Sequence, residues 1–342
     1  MRLPWANEMA IDLGTANTHI CVKDAGVVVR EPSVIAFDRT GRKPVAVGLE
    51  AKRMLERDVV DVRVIQPVKG GVVADFDATV TMLRHFVQQA LGRRPLLSPL
   101  VITSHPDQAT QVERRALIDA LRAGGGGQVL SVRKSLATAI GGALPVGGDV
   151  SYMVIDLGAG MTNVGIVAMG LATTGVSIRC GGDDLNEMIR RAVRRTQGIR
   201  INPVAAEQIK LHVGTLAGSD DGESMRVEGI RDDGEPTIST DIDLADVPTL
   251  LAHGLNRIVS EVIWLLRELP PRQQSEIAAN GAVLTGAGAM LGGIDSYFAE
   301  KLGIPVSVAT DPPSCTILGL ESVLNDPAAV SLEGRRFRSS NH

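Results

Sequence analysis

The 342-residue chain has three cysteines, 3% aromatic residues and no uninterrupted apolar run long enough to span a bilayer. Each shortage excludes something. Cys21, Cys180 and Cys315 are far apart and odd in number. They fit neither a disulfide framework nor a zinc spacing, and read as small buried hydrophobes in a reducing compartment. So few aromatics leave no stacking platform for single-stranded nucleic acid. A net charge of −4 and a sequence pI of about 5.9 supply no basic field for a duplex, so no nucleic-acid partner is expected. The opening Met1–Glu8 carries no apolar run of signal-peptide type, and a cytoplasmic location is expected. The chain has no Gly-x4-Gly-Lys loop, and its six histidines are scattered, without metal-ligand spacing. His105, next to Ser104, reads as a loop residue before Pro106.

What the chain does have is a hexapeptide that nearly occurs twice. Met9-Ala-Ile-Asp-Leu-Gly14 returns as Met153-Val-Ile-Asp-Leu-Gly158. Each copy ends an apolar run and turns through small residues into a second one, which reads as strand, tight turn, strand. A turn of this kind aims backbone N–H groups at an anion. The Asp just before it is placed to hold a Mg²⁺, usually through water, that bridges phosphates. Two such hairpins face to face make a clamp for a nucleotide triphosphate.

The rest alternates strands and helices in an α/β pattern. Helices are expected at about 50–57, 77–91, 111–123, 135–143, 184–197, 204–213 and 247–268, with strands at 100–102, 129–132 and 283–285. Polar residues 214–243 read as a surface β-meander, and Gly147-Gly148 as a hinge. The expected division is an N-terminal lobe over 1–146 with a small insertion at about 31–75. A C-terminal lobe over 147–320 follows, with an insertion at about 182–246. The segment 321–342 closes the chain, its end polar, basic and disordered.

A duplicated α/β arrangement with a nucleotide between its halves is the architecture of the actin-like ATPases. Asp12-Leu-Gly-Thr-Ala-Asn-Thr18, Glu31-Pro-Ser33, Val72-Val-Ala-Asp-Phe76, Val112-Glu-Arg-Arg-Ala116, Gly182-Asp183 and Leu284-Thr-Gly-Ala-Gly-Ala-Met-Leu291 together resemble the MreB family of bacterial actins, over about residues 9–320. The resemblance implies a protein that binds ATP with Mg²⁺. It implies filaments of self or paralogous subunits at the inner face of the cell membrane, with cell-wall synthesis and membrane proteins as partners. Asp12, Gly14, Thr15, Ala16 and Asn17 match the first phosphate loop; Asp156, Gly158, Ala159 and Gly160 match the second. Asp12 and Asp156 are the implied metal carboxylates. Glu207 and Lys210, three apart on one helix face, resemble the pair that contacts adenosine. Gly286, Ala287 and Gly288 resemble the loop packed against it.

Two positions depart from the family pattern. Lys134 stands where the resemblance puts the glutamate that positions the attacking water, and Met161 where it puts a hydrolytic threonine. A lysine does not accept a proton from water at neutral pH unless its pKa is strongly depressed, and a thioether does not hold water as a hydroxyl does. Hydrolysis is therefore expected to be impaired. An active filament-forming ATPase is the alternative. A kinase on the same fold is a lesser one, for which Asp75 or Asp107 would have to be the base. The loop Arg93-Arg-Pro-Leu-Leu-Ser-Pro99 falls where the family inserts into membrane; Leu96 and Leu97 would enter the interface while the arginines meet anionic headgroups. Trp5 could add an interfacial anchor.

Overall fold

The computed structural model describes residues 8–56, 61–92, 98–216, 224–231 and 238–327. The first half runs β1 (Glu8–Leu13), β2 (Asn17–Val22), β3 (Gly26–Pro32), β4 (Ile35–Asp38), β5 (Pro44–Val47), α1 (Leu49–Glu56), β6 (Val62–Ile65), β7 (Val68–Lys69) and β8 (Val72–Val73). It continues with α2 (Phe76–Leu91), β9 (Leu100–His105), α3 (Gln111–Ala123), β10 (Val129–Arg133) and α4 (Lys134–Gly141). The second half runs β11 (Tyr152–Leu157), β12 (Thr162–Ala168), β13 (Leu171–Ile178), α5 (Gly182–Gln197), β14 (Ile199–Ile201), α6 (Pro203–Val213), β15 (Ser224–Arg231) and β16 (Ile238–Asp243). It ends with α7 (Val247–Glu268), α8 (Pro271–Asn280), β17 (Ala282–Thr285), α9 (Ile294–Leu302), β18 (Val306–Val308) and α10 (Cys315–Asn325).

The near-repeat in sequence is a repeat in topology. One sheet has the order β10-β9-β1-β2-β3 and the other β18-β17-β11-β12-β13. In each, the strand that ends in Asp-Leu pairs antiparallel with the next strand in sequence and parallel with a later one. Even the register repeats: Asp12 lies opposite His19, and Asp156 opposite Asn163.

Strand alternation decides which core each residue joins. Met9 and Ile11 face a core shared with α2 and α3, whereas Ala10 faces the other way. In the second sheet Met153 and Ile155 join the large core under α5 to α9, while Val154 turns to meet Ala10's cluster. That central cluster contains Leu136, Ala137 and Ala139 of α4 and Ile317, Leu320, Val323 and Leu324 of α10. Both helices thus lie between the two sheets.

Several elements differ from the sequence reading. α8, β13, β18 and α10 were not anticipated, and α10 crosses residue 320. His105 ends β9 rather than sitting in a loop. Within the expected meander at 214–243 lies the antiparallel pair β15-β16, whose connecting turn is outside the described residues. β14, which completes that sheet, comes from before α6 and was not anticipated. All three cysteines are buried, and burial pushes their thiols up, to about 12 for Cys21 and about 11 for Cys315.

Candidate functional site

The two Asp-Leu-Gly turns are built alike. The Gly14 N–H donates to the Asn17 carbonyl at 3.0 Å, and the Gly158 N–H donates to the Met161 carbonyl at 3.1 Å. A Cβ on either glycine would stand 2.7 Å from that same carbonyl oxygen, so neither turn closes with another residue. Threonines on the parallel neighbours brace both strands: Thr103 Oγ1 donates to the Ile11 carbonyl at 2.7 Å, and Thr285 Oγ1 to Asp156 Oδ1 at 3.3 Å.

The turns open onto one cleft. Its walls include Asp12, Gly14, Thr15, Ala16 and Asn17 from the first, Asp156, Gly158, Ala159, Gly160 and Met161 from the second, and Gly286 and Ala287. Glu207, Lys210 and Gly288 do not line it. Glu207 pairs instead with Lys52 of α1 at 3.5 Å, and Lys210 donates to the Gly182 carbonyl at 3.1 Å. Gly288 sits against Leu157. Leu96, Leu97 and Trp5 lie outside the described residues.

Lys134 begins α4 and points into the cleft. Its Nζ lies 3.5 Å from Asp12 Oδ1 and 3.7 Å from Asp156 Oδ2. A cation in the first turn opposes the helix dipole, so the carboxylates hold it there. Burial alone would lower its pKa, yet Asp12 first and Asp156 second keep the ammonium above the ordinary lysine range. Burial pushes the Asp156 carboxyl up, with Lys134 the main opposing charge.

Met161 is buried, and its sulfur packs against Gly71, which has φ +74°. The N–H of that same glycine donates to Thr15 Oγ1 at 3.0 Å. The β7–β8 hairpin thereby clasps both turns. Sequence reasoning missed His19, a half-buried cleft residue whose buried Nδ1 has no hydrogen-bond partner among the described residues. Burial lowers its pKa, against the opposing pull of the Asp12 carboxylate. Strand alternation from Asp12 across the hairpin was the available signal.

The two carboxylates considered as kinase bases are occupied elsewhere. Asp75 caps α2, accepting from the Ala78 N–H at 3.1 Å. Asp107 reaches across to α4, where it accepts from the Ser135 N–H at 3.2 Å and from the Ser135 hydroxyl. Burial pushes its carboxyl up to about 6, against those hydrogen bonds. Neither lines the cleft.

Two sheets of matching order around a cleft of paired glycine turns define an actin-like ATPase fold. The MreB/Mbl protein family model matches residues 6–331. MreB of Escherichia coli K12, a cell shape-determining protein, is 40% identical over 323 residues, 92% of either chain. Mbl of Bacillus subtilis is 34% identical, covering 94% of this chain and 97% of its own. The ADP-bound crystal structure of MreB5 of Spiroplasma citri superposes with a TM-score of 0.86 at 27% identity, over 93% of this chain and 96% of that one. The MamK double helical filament shares the fold, with a TM-score of 0.77 at 19% identity, over 94% of this chain and 99% of that one. The chain belongs to the MreB/Mbl family.

Proposed function

We propose that this protein is a cytoskeletal, cell shape-determining actin homologue that binds ATP between its lobes and hydrolyses it poorly. The carrying observation is that both Asp-Leu-Gly turns open, in matching geometry, onto one cleft into which Lys134 points. Backbone N–H groups of the turns would face phosphate. MreB5 of Spiroplasma citri has been solved with ADP and with AMPPNP, which supports a nucleotide here. No carboxylate stands at position 134 to orient water, and Met161 is engaged in packing. Assembly with itself or a paralogue, peripheral binding at the inner membrane face and partnership with cell-wall synthesis are parts of the same proposal, carried by family membership. No helix among the described residues is long and apolar enough to cross a membrane.

Mg²⁺ fits this cleft poorly. Among the described residues no group of three or more His, Cys, Asp or Glu side chains forms a metal cluster. The two carboxylates that the paired turns supply, Asp12 and Asp156, already share an ammonium. Mg²⁺ demands near-octahedral oxygen ligation. An ammonium seated between the two carboxylates occupies their charge and repels a dication brought to the same place.

The test is retention of labelled ATP. After incubation with stoichiometric ATP in Mg²⁺ buffer, the purified protein should hold nucleotide, and most of it should still be ATP. Bound ADP would overturn impaired hydrolysis; no bound nucleotide would overturn the nucleotide reading. For the membrane contact, Leu96→Ser with Leu97→Ser should lower flotation on anionic liposomes several-fold, because filaments multiply weak contacts. Unchanged flotation would remove that loop from the proposal.

A further inference from the structure

We propose that the Lys134 ammonium replaces the divalent cation, so that this protein binds the nucleoside triphosphate without Mg²⁺. The inference rests on the nucleotide reading above. Its geometric basis is the position of Nζ, within ion-pair distance of both Asp12 and Asp156. Those are the only two carboxylates that the paired turns present to the cleft. The position is built rather than incidental. Lys134 is the first residue of α4, α4 is wedged between the two sheets, and Asp107 fastens its first turn.

The charge count agrees. Exchanging a carboxylate for an ammonium at position 134 alters the cleft by two units, the charge of one Mg²⁺. The donor count agrees as well. An ammonium has three N–H donors. Two are directed at Asp12 and Asp156 over long contacts of 3.5 and 3.7 Å, which leaves a third for a phosphate oxygen. A single side chain can then join both carboxylates to the ligand, as a bridging metal does.

ATP binding by the intact chain, measured by calorimetry in excess Mg²⁺ and in excess EDTA, tests this. For the wild type the two affinities should agree within about threefold, a difference of about 0.7 kcal/mol or less. Lys134→Gln, which removes the charge and keeps most of the bulk, should bind at least about tenfold more weakly in EDTA than in Mg²⁺. In the absence of nucleotide, Mn²⁺ should raise the melting temperature of Lys134→Gln and leave that of the wild type unchanged. Wild-type binding that weakens tenfold or more in EDTA would overturn the proposal. So would a Lys134→Gln protein indifferent to EDTA. Should the variant fail to fold, the wild-type comparison decides alone. Absence of ATP binding in both buffers would instead overturn the nucleotide reading itself.

Discussion

Lys134→Glu combined with Met161→Thr is expected to raise ATP turnover by about 10²-fold or more, since a positioned base contributes about 10²–10⁴. Lys134 already aims between Asp12 and Asp156. A glutamate on the same helix turn reaches about one bond less far, which leaves room for a water between its carboxylate and the nucleotide. The helix favours the exchange, because an acidic group in the first turn gains about 0.3–1 kcal/mol from the dipole. Met161→Thr places a hydroxyl on the second turn, at the loss of the methionine's packing against Gly71. Three carboxylates would then face one another with no counter-ion. The double variant should therefore melt lower than the wild type in EDTA and recover in Mg²⁺. Lys134→Glu alone should show the metal dependence with a smaller gain in rate. Phosphate release at the wild-type rate, with nucleotide and Mg²⁺ shown to be bound, would refute the assignment of positions 134 and 161.

The legible part of this protein was its duplication. Asp-Leu-Gly recurs within apolar runs, and both strand pattern and turn chemistry are local, so the two hairpins followed from sequence. Contacts between distant segments did not follow. Whether Lys134 pointed into the cleft or to solvent depended on two carboxylates 122 residues before it and 22 after it in the chain. Asp107 was visible as a carboxylate, but its task was to cap a helix that begins 27 residues later. Glu207 and Lys210 were correctly placed on one helix, α6. Their separate partners, Lys52 and the Gly182 carbonyl, came from other elements. α10 was missed because Cys315-Thr-Ile-Leu-Gly-Leu320 is apolar on nearly every side and interrupted by glycine. A helix buried between two sheets shows no amphipathic period.

That same burial makes Gly319→Ala the second large prediction. α4 and α10 cross backbone to backbone. A Cβ on Gly319 would overlap the Ala137 carbonyl, and one on Gly141 would overlap the Cys315 carbonyl. Thr138 and Thr316 share a hydrogen bond of 3.0 Å in the same crossing. In an open helix, Gly→Ala stabilises by about 1 kcal/mol, so the predicted sign is opposite to the ordinary one. Here the added methyl meets backbone, which cannot rotate away. The loss should reach the upper end of the roughly 1–3 kcal/mol typical of overpacking, a large share of a total stability on the order of 5–15 kcal/mol. Urea unfolding should show a lowered midpoint with an unchanged slope. Because α4 starts at Lys134, a helix forced aside would also draw the ammonium away from Asp12 and Asp156. ATP affinity should then fall even under conditions where the variant is fully folded. A Gly319→Ala protein as stable as the wild type would mean that the two helices separate at little cost and that the crossing does not hold Lys134 in place.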